Sequence, residues 1–309
     1  MKVAYVGNFE PAHSTENHVR RALESLDVEV VPLQESGREW ADLKADTTGA
    51  DFMLWTRTAG FDPPDMTAQQ YAVDSLGIPT VGYHLDRWWG LNREPDVHRS
   101  PFFTLDLVCT ADGGHDKEWA KIGVNHKWFP PAVLAEEAVL GEHRDFYRAD
   151  IGFVGNLLRY GHPEWGPYRR KLARYLTLKY RRQFRVFPGD NQPAIRGKAL
   201  QDLYASVKIV VGDSCLAGGI EKYWSDRIPE TCGRGAFLIH PEVVGLESEY
   251  PDLVTYPLGD FEALGHLIDH YLVEDETRRE LAKMNRAHVL DGQTYQHRMI
   301  RLLQEIEEL

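Results

Sequence analysis

Cysteine is scarce. Cys109, Cys215 and Cys232, in 309 residues, give neither the even count of a disulfide framework nor the close pairing of a zinc site, so all three read as buried thiols. Long apolar runs are also missing: "GAFLI" and "KIVVG" fall far short of the roughly 20 residues that a membrane-spanning helix needs. The opening "MKVAYVGN" is strand-like and shows no apolar leader, so a cytoplasmic protein without membrane contact is expected. Several catalytic signatures are absent. No GxGxxG follows the first strand, which argues against a nicotinamide enzyme, and no G-x-x-x-x-G-K-[ST] supports a P-loop kinase. A G-x-S-x-G elbow is lacking. Asp-x-Asp pairs that would hold a divalent ion are missing from the predicted strand exits, so metal independence is expected.

What is present suits a folded chain: 43% hydrophobic and 27% charged residues without low-complexity tracts, at a length that suggests two domains. The net charge of −12 argues against a surface that tracks nucleic-acid phosphates throughout. One segment dissents. "YRRKLARYLTLKYRRQFR", 168–185, carries eight basic residues and no acid, leaving −20 for the remainder. It reads as an amphipathic helix with Tyr168, Leu172, Tyr175 and Leu176 inward and a solvated basic face. A protein or small glycan partner is therefore expected over nucleic acid.

Short apolar runs alternate with helical stretches in two series. The first has strands "KVAYVG", "VEVVPL", "DFMLWT", "IPTVGYH" and "LVCTA"; the second has "ADIGFVG", "QFRVFPG", "KIVVGDS", "GAFLIH" and "LVTYPL". Such alternation predicts two doubly wound, Rossmann-like α/β domains. The expected boundaries are 1–131, a linker at 132–148, a second domain at 149–288, and a C-terminal helix at 289–309 packing back across.

Parallel sheets of this kind bind ligands beyond the carboxyl ends of their strands. In the first half those positions hold Asn8, His84 and Asp86, then "DGGH" ending at His115. In the second they hold Gly155, Asn156 and Arg159, Asp213, and the stretch "KYWSDRIPETCGRGAFLIHP". His84 could hydrogen-bond a ligand near neutral pH, and Asp86 could orient or polarise an acceptor hydroxyl. Trp88 offers a flat platform for a sugar. Strand exits favour Gly, Asn and Asp for turn geometry as well.

"SDRIPETCGRGAFLI", with "FVGN", "GVNHKWFPPAV" and "QTYQHRMIRLL", resembles the group 1 glycosyltransferase superfamily, particularly the branch similar to CgeB-type spore maturation proteins. The resemblance implies a GT-B architecture, two Rossmann-like domains facing a cleft, with a nucleotide-sugar donor held mostly by the second. It implies an acceptor held mostly by the first, no further cofactor and usually no metal. It places the ribose diol on Glu230. Arg227, Arg159, Asn156, Gly155 and Asn8 would serve the donor, with Ser225 or Asp226 capping the helix; Pro229 then has to lie in its first turn. His84 and Asp86 would be catalytic, with His115 and Trp88 contacting sugar or acceptor. The chain departs from the family at Lys222, where many relatives carry a Glu for the donor sugar; Glu221 is its neighbour. The expected activity is transfer of a sugar, of the hexosyl type and with retention, to a hydroxyl of a protein or small glycan. Alternatives are a nucleotide-sugar epimerase, a non-catalytic binding protein, and, less expected, a DNA glycosyltransferase.

Overall fold

The computed structural model describes residues 1–57, 66–155, 166–189, 192–214 and 221–309. Along the chain run β1 (Lys2–Gly7), α1 (Thr15–Glu24), β2 (Glu29–Gln34), α2 (Leu43–Asp46), β3 (Phe52–Trp55), α3 (Met66–Asp74), β4 (Thr80–His84), β5 (Leu107–Thr110), α4 (Asp116–Lys121) and β6 (His126–Trp128). There follow β7 (Ala149–Val154), α5 (Gly166–Tyr180), β8 (Phe184–Phe187), α6 (Gly197–Ser206), β9 (Val207–Val211), α7 (Arg227–Gly233), β10 (Leu238–Pro241), α8 (Leu246–Glu249), β11 (Val254–Tyr256), α9 (Phe261–Val273), α10 (Asp275–Gly292) and α11 (Tyr295–Glu307). They form two compact units: Met1–Pro130 with Tyr295–Leu309, and Pro131–Thr294.

The first unit holds a parallel sheet in the order β2-β1-β3-β4-β5-β6. Val3–Val6 and Phe52–Trp55 are buried throughout, as expected of a parallel sheet covered on both faces. Trp55, Trp88, Phe102, Phe103 and Trp119 anchor a core on one of those faces. Ser14 starts α1, its Oγ accepting the Asn17 N–H at 3.2 Å. The last helix, α11, joins this unit against α1, burying Met299, Leu302 and Ile306. Arg298 Nε donates to the Pro130 carbonyl at 2.9 Å, and Lys127 pairs with Glu305 at 2.8 Å.

The second unit holds a parallel sheet in the order β11-β10-β9-β7-β8. Leu172 and Leu176 of α5, Ile209, Val211, Ile239 and Leu264 fill its core.

The structure departs from the sequence reading in three places. The segment expected as a linker, 132–148, is folded onto the second unit. Its apolar residues Val133, Leu134 and Ala138 are buried, and the Val133 N–H donates to the Gln293 carbonyl at 3.3 Å. Glu142 N–H donates to Asp202 Oδ1 at 2.9 Å, so interspersed proline and charge concealed a packed strap. The expected boundary at 289 falls inside α10, and α11 begins at Tyr295 because Gln293 and Thr294 break the helical run. The stretch "SGREWADLKAD", whose apolar spacing predicts a helix with one buried face, yields only a short 3-10 turn and the four-residue α2. Among the described residues no helix is long and apolar enough to cross a membrane.

Candidate functional site

In the second sheet β7 has β8 on one side and β9 on the other, so the winding reverses between β7 and β9. A crevice opens at the carboxyl ends of two such strands. The residues there are Val154, the last of β7, Gly155 beyond it, and Asp213 and Ser214 after β9. Asp213 is fully buried and faces two arginines. Arg169 from α5 donates to its carboxylate through Nε at 2.6 Å and Nη2 at 3.3 Å. Arg227, the first residue of α7, pairs with the same carboxylate through Nη1, which also donates to the Asp213 carbonyl at 2.7 Å. Its Nε donates to the Val154 carbonyl at 3.0 Å. Both guanidinium groups lie over the Phe153 ring, at 5.3 and 5.7 Å. Two cations share one anion, so one positive charge is left at the crevice. Arg227 Nη2 makes no hydrogen bond among the described residues.

Gly155 fits this arrangement for two reasons. Its φ of 153° lies where side chains are strained, and a Cβ there would stand 2.8 Å from Arg227 Nη2. Gly155→Ala is expected to displace the guanidinium and to cost about 1–3 kcal/mol in backbone strain. Thermal melts should show the loss, and calorimetry should show affinity for a nucleoside diphosphate reduced relative to wild type, with affinity for the parent nucleoside little changed. Unchanged melting and unchanged affinities would refute the tight approach.

Glu230 lies three residues after Arg227 and so on the same helical face. Pro229 sits in the first turn of α7, and Ile228 and Cys232 anchor the buried side. Glu230 is half-buried, and among the described residues its carboxylate accepts no hydrogen bond. Burial, and then the charge of Asp226, push its pKa up to about 7 against the pull of Arg234, Arg196 and Arg227. Arg234 is buried, donates to the Glu230 carbonyl at 3.1 Å and pairs with Glu137 at 3.4 Å.

The expected side-chain cap of α7 is absent: Asp226 is exposed, in helical backbone geometry, and caps no N–H. Ser225 is a bracket between strand exits instead. Its N–H donates to Ser214 Oγ at 3.2 Å and its hydroxyl to the Asp213 carbonyl at 3.4 Å. The ring of His240 completes the bracket. Its Nδ1 lies 2.7 Å from the Pro241 carbonyl, which can only accept, so Nε2 receives the Ser214 hydroxyl at 3.1 Å. Burial takes His240 down to about 4, keeping this ring neutral. Lys222 is exposed and left-handed, with its N–H donated to the Val244 carbonyl at 2.8 Å. Asn156 and Arg159 lie outside the described residues.

In the first unit the sheet reverses between β1 and β3, and Asn8 stands at the β1 exit. Its Oδ1 accepts from Gln34 Nε2 at 3.0 Å. His84, Asp86, Trp88 and His115 gather two strands away, around the exits of β4 and β5. Asp112, wholly buried, draws them together: its Oδ2 accepts the N–H groups of Trp88 and Trp89, both at 2.8 Å. Its Oδ1 lies 3.9 Å from Arg87 Nε and from His115 Nε2. Burial raises the Asp112 pKa, opposed by those two N–H groups.

His84 Nδ1 accepts the Asp86 N–H at 3.0 Å, so the neutral ring carries its proton on Nε2. Burial lowers its pKa and preserves that form. Asp86 is exposed and pairs with Arg93 at 2.9 Å. The expectation for Trp88 is corrected: its indole is wholly buried against Phe103 and His84, so it presents no face for a sugar. Packing a large ring into the core gains more than leaving it at the loop surface. His115 is half-buried at the start of α4, tilted over the Trp89 ring.

Sequence reasoning missed Arg169, which sits in a segment read as a solvated face, and Arg196, whose charge reaches Glu230. Position two in "YRRK", one residue from the inward Tyr168, was the available signal for Arg169.

The glycosyl transferase-like family matches residues 146–304, just over half of the chain. No curated protein sequence matches it. Solved structures share the fold at low identity. Trehalose-6-phosphate from E. coli, bound with UDP-2-fluoro glucose, is 9% identical with a TM-score of 0.66, covering 100% of this chain and 99% of that one. Anabaena Alr3699/HepE in complex with UDP-glucose is 11% identical at 0.61, covering 100% and 98%. A trehalose-6-phosphate synthase studied for glycosyl transfer with retention is 8% identical at 0.67, covering 100% and 99%. With its second unit matching the family and its two Rossmann-like sheets matching these GT-B structures, the chain belongs to the glycosyl transferase-like family.

Proposed function

We propose that the protein transfers a sugar, of the hexosyl type, from a nucleotide-sugar donor to a hydroxyl acceptor, with retention and without a metal ion. The observation that carries this reading is the crevice between β7 and β9. There Arg227 offers unspent N–H donors beside Gly155, and Glu230 presents a carboxylate with no hydrogen bond of its own among the described residues. A guanidinium fork matches diphosphate oxygens, and a carboxylate matches the paired hydroxyls of a ribose. UDP-glucose is the ligand of Anabaena Alr3699/HepE, and retention is the outcome studied in the trehalose-6-phosphate synthase; both support a UDP-sugar donor and a retaining course here. The catalytic role is assigned to His84, a buried ring held neutral, and to Asp86. The motif resemblance supports membership of the CgeB-like branch.

Incubation with UDP-, GDP- and dTDP-sugars tests the proposal. Released nucleotide with a glycosylated product supports it, a changed sugar indicates an epimerase, and thermal shift without turnover indicates a binding protein. Activity is expected to survive chelation, because the charge opposite the diphosphate comes from arginine. Loss in EDTA with rescue by magnesium or manganese would refute metal independence.

A further inference from the structure

Helix α5 carries charges that its own stability does not explain. Of the eight cations in 168–185, three have partners within the unit. Arg169 holds Asp213, Lys179 pairs with Asp269 at 2.9 Å, and Arg185 donates to the carbonyls of Phe146 and Arg148. Arg170, Lys171, Arg174, Arg181 and Arg182 are exposed, and among the described residues their side chains make no hydrogen bond or ion pair. Arg181 and Arg182 follow the helix C-terminus, where the macrodipole favours cations. Arg170, Lys171 and Arg174 lie beyond the first turn, which has no acid, so the macrodipole does not account for them. Arg170 and Arg174 also repel each other at i,i+4 spacing. A stripe kept against that repulsion, with no anion beside it among the described residues, is a surface suited to an anion outside the chain.

The rest of the face narrows the class of anion. Tyr168 and Tyr175 turn onto Phe261, at 5.7 and 5.5 Å between ring centres, so they are not presented for unpaired bases to stack on. Leu178, 67% exposed, is a single large apolar side chain on this face, too little to bury among acyl chains. Of the five cations without a partner among the described residues, four are arginines, whose planar forks suit phosphate oxygens. From Arg170 to Tyr180 the helix rises roughly 15 Å at 1.5 Å per residue, with Arg181 and Arg182 following it, enough to reach across a duplex groove about 12 Å wide.

We propose that this stripe docks the phosphate backbone of duplex nucleic acid as the acceptor-bearing partner, the acceptor role resting on the transferase reading above. The protein or glycan acceptor expected from overall charge is thereby revised, because net charge averages over the surface while docking is local.

The test is fluorescence anisotropy of a short labelled DNA duplex against salt, with UDP binding measured in parallel. About five phosphate contacts predict a log–log salt slope of roughly −4 to −5. The triple variant Arg170→Glu, Lys171→Glu, Arg174→Glu should lose at least about tenfold in affinity and about three units of slope, with UDP affinity unchanged. Should that variant fail to fold, Arg181→Gln with Arg182→Gln, beyond the regular helix, should shed roughly two units of slope. Absent or salt-independent duplex binding, equal binding by the variants, or tighter binding to phosphatidylserine vesicles or polyglutamate would overturn the proposal. Lost UDP binding with intact duplex binding would instead sink the transferase reading alone.

Discussion

Glu230→Gln is expected to stabilise the fold above pH 7 while weakening donor binding and removing its pH dependence. Glu230 titrates near 7 in the folded chain, against an ordinary value of 4.5, because burial and Asp226 disfavour its charge. The folded state thus holds the proton that the unfolded state releases, so stability falls as pH rises between those two values. The whole loss is roughly 3 kcal/mol, and a glutamine, always neutral, escapes it. Urea melts should therefore coincide for the two proteins below pH 4.5 and separate above pH 7, with the variant the more stable. Binding runs the other way. Only the carboxylate accepts two hydroxyl hydrogen bonds, so wild-type affinity for the donor nucleotide should fall about tenfold per pH unit below 7 and level off above it. At pH 8 the deletion Glu230→Ala should weaken binding by about 1.5–3 kcal/mol, or 10- to 150-fold. Parallel melting curves together with a flat wild-type binding profile would show that the carboxylate serves the helix alone.

How much of this site could be read from the sequence depended on which interactions are local. Glu230 and Arg227 fall within one short helix, where spacing fixes their common face, with Pro229 on its buried side, and the motif points to all three directly. Strand exits were equally legible, because apolar runs end in Gly, Asn or Asp. Neither the bracket from Ser225 through Ser214 to His240 nor the pairing of Arg169 with Asp213 has a local signature. The latter joins residues 44 positions apart, and depends on how α5 crosses the sheet. Trp88 failed for a related reason. A tryptophan beside a candidate histidine reads alike as platform or core, and only the grip of Asp112 on the loop shows which way the ring turns. The strap at 132–148 was hidden because its burial is set by surfaces far along the chain, at Asp202 and Gln293.

Asp213→Asn should be the most damaging substitution at the crevice. The side chain is fully buried, and its charge balances two guanidinium groups that come from different helices. Breaking a buried pair by removing one partner typically costs 3–5 kcal/mol, because the remaining charge is left uncompensated; here two are left. Arg227 would keep its bonds to the Val154 and Asp213 carbonyls, so α7 should stay attached while the crevice gains one positive charge. An anion that enters the crevice then does part of the work of the missing carboxylate. UDP or pyrophosphate should therefore raise the melting temperature of the variant more than that of the wild type. A nucleoside without phosphate should shift both equally. Adding Arg169→Met to Asp213→Asn removes one of the two orphaned charges, and should recover a substantial share of the lost stability. That non-additivity is the signature of a shared ion cluster and not of two independent contacts. Equal shifts with pyrophosphate in both proteins, or simple additivity in the double variant, would mean that Asp213 supports the fold without shaping an anion site.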